Sequence, residues 1–418
     1  MTATQDVRPS RLPSLTGLRF LAALLVFINH VQHLNVFADP AVQKGYVKAV
    51  ENAGQMGVSF FFILSGFVLT WVARRDDTVG QFYRRRFFKI VPNHVVAYLA
   101  SLALLLAAGV PLFAPEAVAN FFLVQSWMPS SDYIVYSVNG VTWSLSVEVL
   151  FYVSFPLLIL LVGRLSPRRL WSWFVGLAVL SVVVPLVVAQ FLPSGPKSPF
   201  AGPESWPVLW ISYFFPPMRL FEFVAGMILA KIVMAGRFPR IGALPMALLT
   251  VAAYVVSIVA LPPFSAYYVA AIYLVPMGLL IAALAVADDE GRRTVTGTRP
   301  MVWLGEISYA FFLIHLFILF NTHAALGGQW AGWGGYQRKA LSTPLAVLFV
   351  LAVLGLCVLL SWLLYALVER PMMRHFSRPR RGGRPAGTVP TDPAALPTSP
   401  APAGSATHPP APTASSGV

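Results

Sequence analysis

Ten apolar stretches divide the chain, at about 15–34, 57–73, 93–110, 143–163, 170–192, 208–234, 241–261, 266–287, 301–322 and 341–367. Each is long enough to cross roughly 30 Å of hydrocarbon as a helix, so the expected solvent is lipid. The pattern predicts an all-α integral membrane protein of about ten transmembrane helices. Charge agrees: only 11% of the 418 residues are charged, against about 25% in ordinary soluble domains, too few to coat soluble domains of this total size.

An even number of spans places both termini on one side of the bilayer. The basic residues say which side. Of 30 Lys and Arg, 24 fall on the side of the N-terminus, five on the other, and Arg219 lies within a span. Cytoplasmic loops retain basic residues, so both termini are expected in the cytoplasm. The net charge of +14 is thereby a topology signal, and no nucleic-acid partner is expected from it.

The remaining organisation follows from composition. Residues 1–14 read as a short cytoplasmic leader with no cleavable signal, 15–371 as the ten-span domain, and 377–418 as a disordered cytoplasmic tail rich in Pro, Ala, Ser and Thr. The apolar segment near 117–128 is too short to span and reads as re-entrant or interfacial, with Trp127 suited to the headgroup level. Cys357 is the single cysteine, which rules out an intrachain disulfide and any Cys-based metal spacing; no metal is expected.

Chemistry should lie in the polar residues at membrane depth, because each is costly to bury there. His30 follows Arg19 by eleven residues, which on a helix puts both on one face about 16.5 Å apart. By rise per residue, His30, Glu148 and His315 reach similar depth in the outer half of the bilayer. Each also has a plain alternative: the histidines as hydrogen-bonding partners between helices, Glu148 as a structural acceptor for serine or backbone groups. Arg219 and Glu222, at i and i+3, can pair with each other and read as a structural bridge. His33, His94, His323, His375 and His408 lie at span ends, in loops or in the tail, and no chemistry is assigned to them.

The segment QFYRRRFFKIVP is more basic than topology needs. Arg84, Arg85, Arg86 and Lys89 precede the third span. They suit either a phosphate-bearing donor entering from the cytoplasm or anchoring to anionic lipid. Phosphate-binding glycine loops, G-x-S-x-G and H-E-x-x-H are absent, so soluble-type ATPase, hydrolase and metalloprotease readings lack motif support. A polytopic transporter would also hold charges at depth, but matched broken spans and internal repeats are not visible.

The stretches LTGLRFLAALLVFINH, GVSFFFILSGFVL, FYRRRFFKIVP, WSLSVEVLFYVSFPLL, RLFEFVAGMILA, ISYAFFLIH and VERP occur in an order that resembles the membrane-bound acyltransferase family 3, the OafA-like O-acyltransferases. The resemblance covers about 10–371, and within the family is nearest in look to actinobacterial macrolide 3-O-acyltransferases. It implies transfer of an acyl group, acetyl or short-chain, from acyl-CoA as co-substrate to a hydroxyl of a macrolide or other glycosylated small molecule. A cell-surface polysaccharide is the alternative acceptor.

Residue by residue, Arg19 and His30 match the family's Arg-x10-His pair, Arg86 the first arginine of its Arg-x-x-Arg motif, Glu148 the WSL-x-x-E glutamate, and His315 the histidine closing SY-x-x-x-L-x-H. Lys89 stands where the second arginine is usual, keeping charge but losing the bidentate fork. The resemblance implies His30 as the catalytic residue, and an imidazole that titrates near neutral pH suits the part of general base toward an alcohol. Glu148 would orient its imidazole, His315 would contact the thioester or the acceptor, and Arg19, Arg86 and Lys89 would hold donor phosphates.

Overall fold

The computed structural model describes residues 12–74, 77–200, 204–260, 266–327, 329–330, 336–337 and 340–376. Residues 1–11 of the expected leader and the whole expected tail at 377–418 lie outside the described residues. Ten long helices are present among the described residues: α1 (Pro13–Val31), α2 (Ala53–Trp71), α3 (Val79–Ala107), α4 (Trp143–Gly163), α5 (Leu170–Ala189), α6 (Pro216–Met234), α7 (Ala243–Ala260), α8 (Ala266–Asp289), α9 (Arg299–Ala325) and α10 (Thr343–Leu364). A two-residue antiparallel pairing joins Gln329–Trp330 to Tyr336–Gln337.

Nine helical stretches among the described residues are long and apolar enough to cross a membrane. The chain is an all-α, multi-pass membrane protein. α6 misses on composition, because Arg219, Glu222 and Lys231 all fall within its 19 residues. It is nevertheless deeply enclosed: Phe223, Ala225, Met227, Leu229, Ala230 and Ile232 are each fully buried.

Two helix boundaries depart from the apolar pattern, each for a visible reason. α3 begins fourteen residues before the stretch expected from 93, because Thr78 and Gln81 form a capping box that starts the helix upstream of the basic residues. The stretch expected from 208 is broken instead, with a π-helical turn at Trp210–Phe214 before Pro216 and Pro217 open α6. Proline lacks the N–H that a first helical turn leaves unbonded anyway. The segment expected at 117–128 forms a helix of eight residues, Ala114–Phe121, and a single turn at Gln125–Trp127, too short to span.

The centre is assembled by close backbone approach. A Cβ on Gly66 of α2 would collide with the carbonyl of Phe223, and one on Gly226 of α6 with the carbonyl of Ile63. These two helices pack at glycine contact, the way membrane helices associate when their interface is made of small residues. α1 meets α9 likewise, since a side chain on Gly305 would strike the carbonyl of Thr16. Around this centre the Phe151 and Phe223 rings stack at 4.5 Å. Val153, Leu157 and Leu160 on α4, Leu244 and Val259 on α7, and Leu348 and Leu351 on α10 face outward, where lipid is their natural solvent.

Candidate active site

The packing of α1 against α9 brings two of the candidate residues into contact. His30 Nδ1 lies 2.8 Å from His315 Nε2, and the rings stack with centroids 5.1 Å apart and 19° between planes. The other ring nitrogen of His315, Nδ1, is 2.8 Å from the carbonyl of Phe312 and 3.2 Å from that of Phe311. Carbonyls only accept, so His315 Nδ1 carries a hydrogen. A neutral imidazole has one N–H, so His315 Nε2 accepts, and His30 Nδ1 must be the donor between the rings. By this accounting His30 Nε2 holds a bare lone pair. It has no hydrogen-bond partner among the described residues, and His30 lines a cavity of about 750 Å³.

That cavity is amphipathic. Asn29, His33, Gln55 and Asn321 contribute polar groups, and Phe200 and Phe214 apolar surface. His33, to which the sequence assigned no chemistry, is exposed on this wall with its ring 5.9 Å from that of His30. The wall is stiffened by Asn139, whose amide donates to the Leu313 carbonyl at 2.8 Å, two residues before His315. Asn120 and Thr142 in turn bond the Asn139 carbonyl.

Glu148 is not joined to His30. It accepts a hydrogen bond from Ser65 Oγ at 2.8 Å and lines a second cavity of about 40 Å³ with Arg19, Ser144, Ser308 and Tyr309. The expected Glu148–His30 contact is therefore corrected: α4 delivers its carboxylate beside Arg19, and the group that orients the His30 imidazole is His315. Arg19 and His30 do share a helix, and they open onto the two different cavities.

The basic residues also separate. The Arg86 guanidinium lies 5.7 Å from the ring centre of Phe82 and 5.8 Å from that of Tyr152, and its buried Nε has no hydrogen-bond partner among the described residues. Lys89 differs from the expectation that it is open to a donor: its ammonium is paired with Glu369, which is 1% exposed. Asn93 Nδ2 donates to the other oxygen of that carboxylate at 2.6 Å, and the Tyr309 ring lies 5.7 Å from the lysine. A charge already met inside the protein has little left to offer a phosphate. Glu369 is the site-adjacent residue that sequence reasoning missed, although the VERP stretch that holds it was one of the recognisable motifs.

Arg219 and Glu222 pair as expected at 2.9 Å, both 1% exposed. The guanidinium sits 5.1 Å from the ring centres of both Phe62 and Tyr213 and donates to Ser59 Oγ at 3.1 Å. This pair faces neither cavity and fastens α6 to α2.

Chemically, a bare imidazole nitrogen with its partner nitrogen held in one tautomer can take a proton from a hydroxyl. The family profile described as an acyltransferase domain matches residues 12–366. The chain belongs to the acyltransferase 3 family. Among relatives of this acyltransferase, the acyltransferase MdmB of Streptomyces mycarofaciens is 40% identical over 93% of this chain and 97% of its own. The exopolysaccharide production protein ExoZ of Rhizobium meliloti is 28% identical over 78% of this chain and 92% of its own. The peptidoglycan O-acetyltransferase OatA of Listeria monocytogenes is 26% identical over 75% of this chain and 50% of its own. No solved structure matches.

Proposed function

We propose that this acyltransferase moves an acetyl or other short acyl group from acyl-CoA to a hydroxyl of a macrolide or similar glycosylated small molecule, with His30 as general base. The single observation that carries the reading is His30 Nε2, bare and unbonded at the wall of the larger cavity while Nδ1 is held by His315. With both termini cytoplasmic, Arg86 lies toward the cytoplasmic rim, where its free donor suits a phosphate of the donor. The linear arm of the donor then follows α1 past Arg19 and Glu148 toward His30. Lys89, paired with Glu369, is left out of the phosphate grip.

In the transfer step, Nε2 takes the acceptor's hydroxyl proton as the oxygen attacks the thioester carbonyl. Collapse of the tetrahedral species breaks the C–S bond, and Nε2–H returns the proton to the departing thiolate. Products are the ester and the free thiol, and His30 ends neutral. His315 stabilises the imidazolium through the Nδ1–H bond, the part that the third member of a catalytic triad plays elsewhere. The apolar surroundings keep water from the thioester. Direct transfer is favoured because Cys357 is buried in α10 away from both cavities.

For the acceptor, a cavity of about 750 Å³ with both polar and aromatic walls suits a large amphipathic molecule; small-molecule sites span roughly 300–1,000 Å³. A polysaccharide acceptor is the second reading, favoured by what the Listeria and Rhizobium relatives are named for. The test is purified protein incubated with labelled acetyl-CoA and a panel of macrolides and oligosaccharides. Label on a macrolide is expected, and its loss in His30→Ala. Label on glycans alone would replace the acceptor, and label on nothing would remove the donor.

A further inference from the structure

The two cavities have only Val58 and Phe312 in common. Val58 comes from α2 and Phe312 from α9, and each is 5% exposed. Phe312 is held edge-on by Phe61, with ring centres 5.8 Å apart, and its own ring lies 5.8 Å from that of His315. The carbonyl of Phe312 is also the acceptor that fixes the tautomer of His315. On one side of this pair is the cavity of about 40 Å³ that Arg19 and Glu148 line. On the other is the cavity of about 750 Å³ that His30 lines.

We infer that Phe312 and Val58 form a neck that selects the acyl group by its width. The inference rests on the reading that an acyl-CoA donor arrives from the Arg19 side. On that reading the thioester reaches His30 only by passing the neck, and the acyl group goes first. A group threaded end-on is sorted by cross-section, because every part of it must fit the same opening. A straight acyl chain is no wider than the methylene arm that follows it, so whatever passes the arm also passes the chain. Beyond the neck its tail enters the wide cavity, where there is room. A chain branched next to the carbonyl is wider than the arm and meets the Phe312 ring. The narrow cavity sharpens the choice: a site needs about 10–15 Å³ for a single water, so 40 Å³ admits only a slender file of atoms.

The experiment compares straight and branched donors of equal carbon count. Acetyl-, butyryl- and isobutyryl-CoA are each supplied to the purified full-length protein with the same acceptor, and kcat/KM is measured for each. The wild type is expected to favour butyryl over isobutyryl by about tenfold or more, since one displaced methyl in a tight site changes rates by roughly 10–200-fold. Phe312→Ala should remove most of that ratio. Val58→Ala, which leaves both histidines and the carbonyl acceptors of His315 in place, should lower the ratio as well, and Val58→Leu should raise it.

If Phe312→Ala loses acetyl transfer too, the two Val58 variants decide. Equal use of both four-carbon donors by the wild type would overturn the neck. So would a ratio in Val58→Ala and Val58→Leu that stays at the wild-type value. Failure of the wild type to use any acyl-CoA would be a different result: it removes the donor reading itself, and the neck with it.

Discussion

His315 shows how one hydrogen bond can set the chemistry of another residue. Its Nδ1–H is committed to the carbonyls of Phe312 and Phe311, so its Nε2 can only accept from His30. His315→Ala is expected to lower kcat on the order of 10²–10⁴-fold with a smaller change in the acceptor KM, because the tautomer of His30 is lost and binding is not. His315→Gln should recover part of the loss, since its side-chain oxygen can accept from His30 Nδ1. A glutamine variant no better than alanine would sink the tautomer argument. Glu148→Gln is expected to act differently, raising the donor KM, because Glu148 lines the narrow cavity and does not touch His30. Helical rise made the common level of His30 and His315 legible, and their contact agrees with it, whereas Glu148, expected beside them, lines the cavity of Arg19 instead. The lateral neighbours were not legible, because spacing along one helix says nothing of which helix lies beside it. His30 and His315 are separated by 285 residues, and Lys89 and Glu369 by 280.

At the scale of helices, the apolar pattern located the elements closely and failed where polarity and helicity part company. Hydropathy ends a span at the first cluster of charges, whereas the α3 backbone runs on through Arg84, Arg85 and Arg86 to the capping box at Thr78. α6 shows the reverse case, a helix too charged by composition whose arginine is covered by Glu222, Ser59 and two aromatic rings. What holds it there is the glycine contact with α2. Gly226→Ala is therefore expected to force the Ile63 carbonyl away and to destabilise the protein by about 1–3 kcal/mol, the usual cost of overpacking. Thermal unfolding in detergent, followed by loss of the monodisperse species, measures this. Gly163→Ala, where nothing stands within 4 Å of the added carbon, is the control and should leave the midpoint where it is. Equal midpoints for the two variants would mean that the α2–α6 seam yields freely.

Across the whole molecule, the surplus of basic residues and the placement of the two cavities have to agree. If the basic side is cytoplasmic, the donor enters beside Arg86 and the acceptor meets His30 nearer the opposite face. The chain offers a clean way to test this, because its single cysteine, Cys357, is fully buried. New cysteines can then be read against little background. Ser166, exposed between α4 and α5, lies on the basic side; Ser194, exposed after α5, lies on the other. With Ser166→Cys, a membrane-impermeant maleimide should label only permeabilised cells. With Ser194→Cys, it should label intact cells. The reverse pattern would turn the protein over in the bilayer and place the narrow cavity toward the outside, where cytoplasmic acyl-CoA could not reach it first. The histidine pair would keep its geometry in that case, but the donor would have to come through the wide cavity, and the neck at Phe312 would no longer stand in its path.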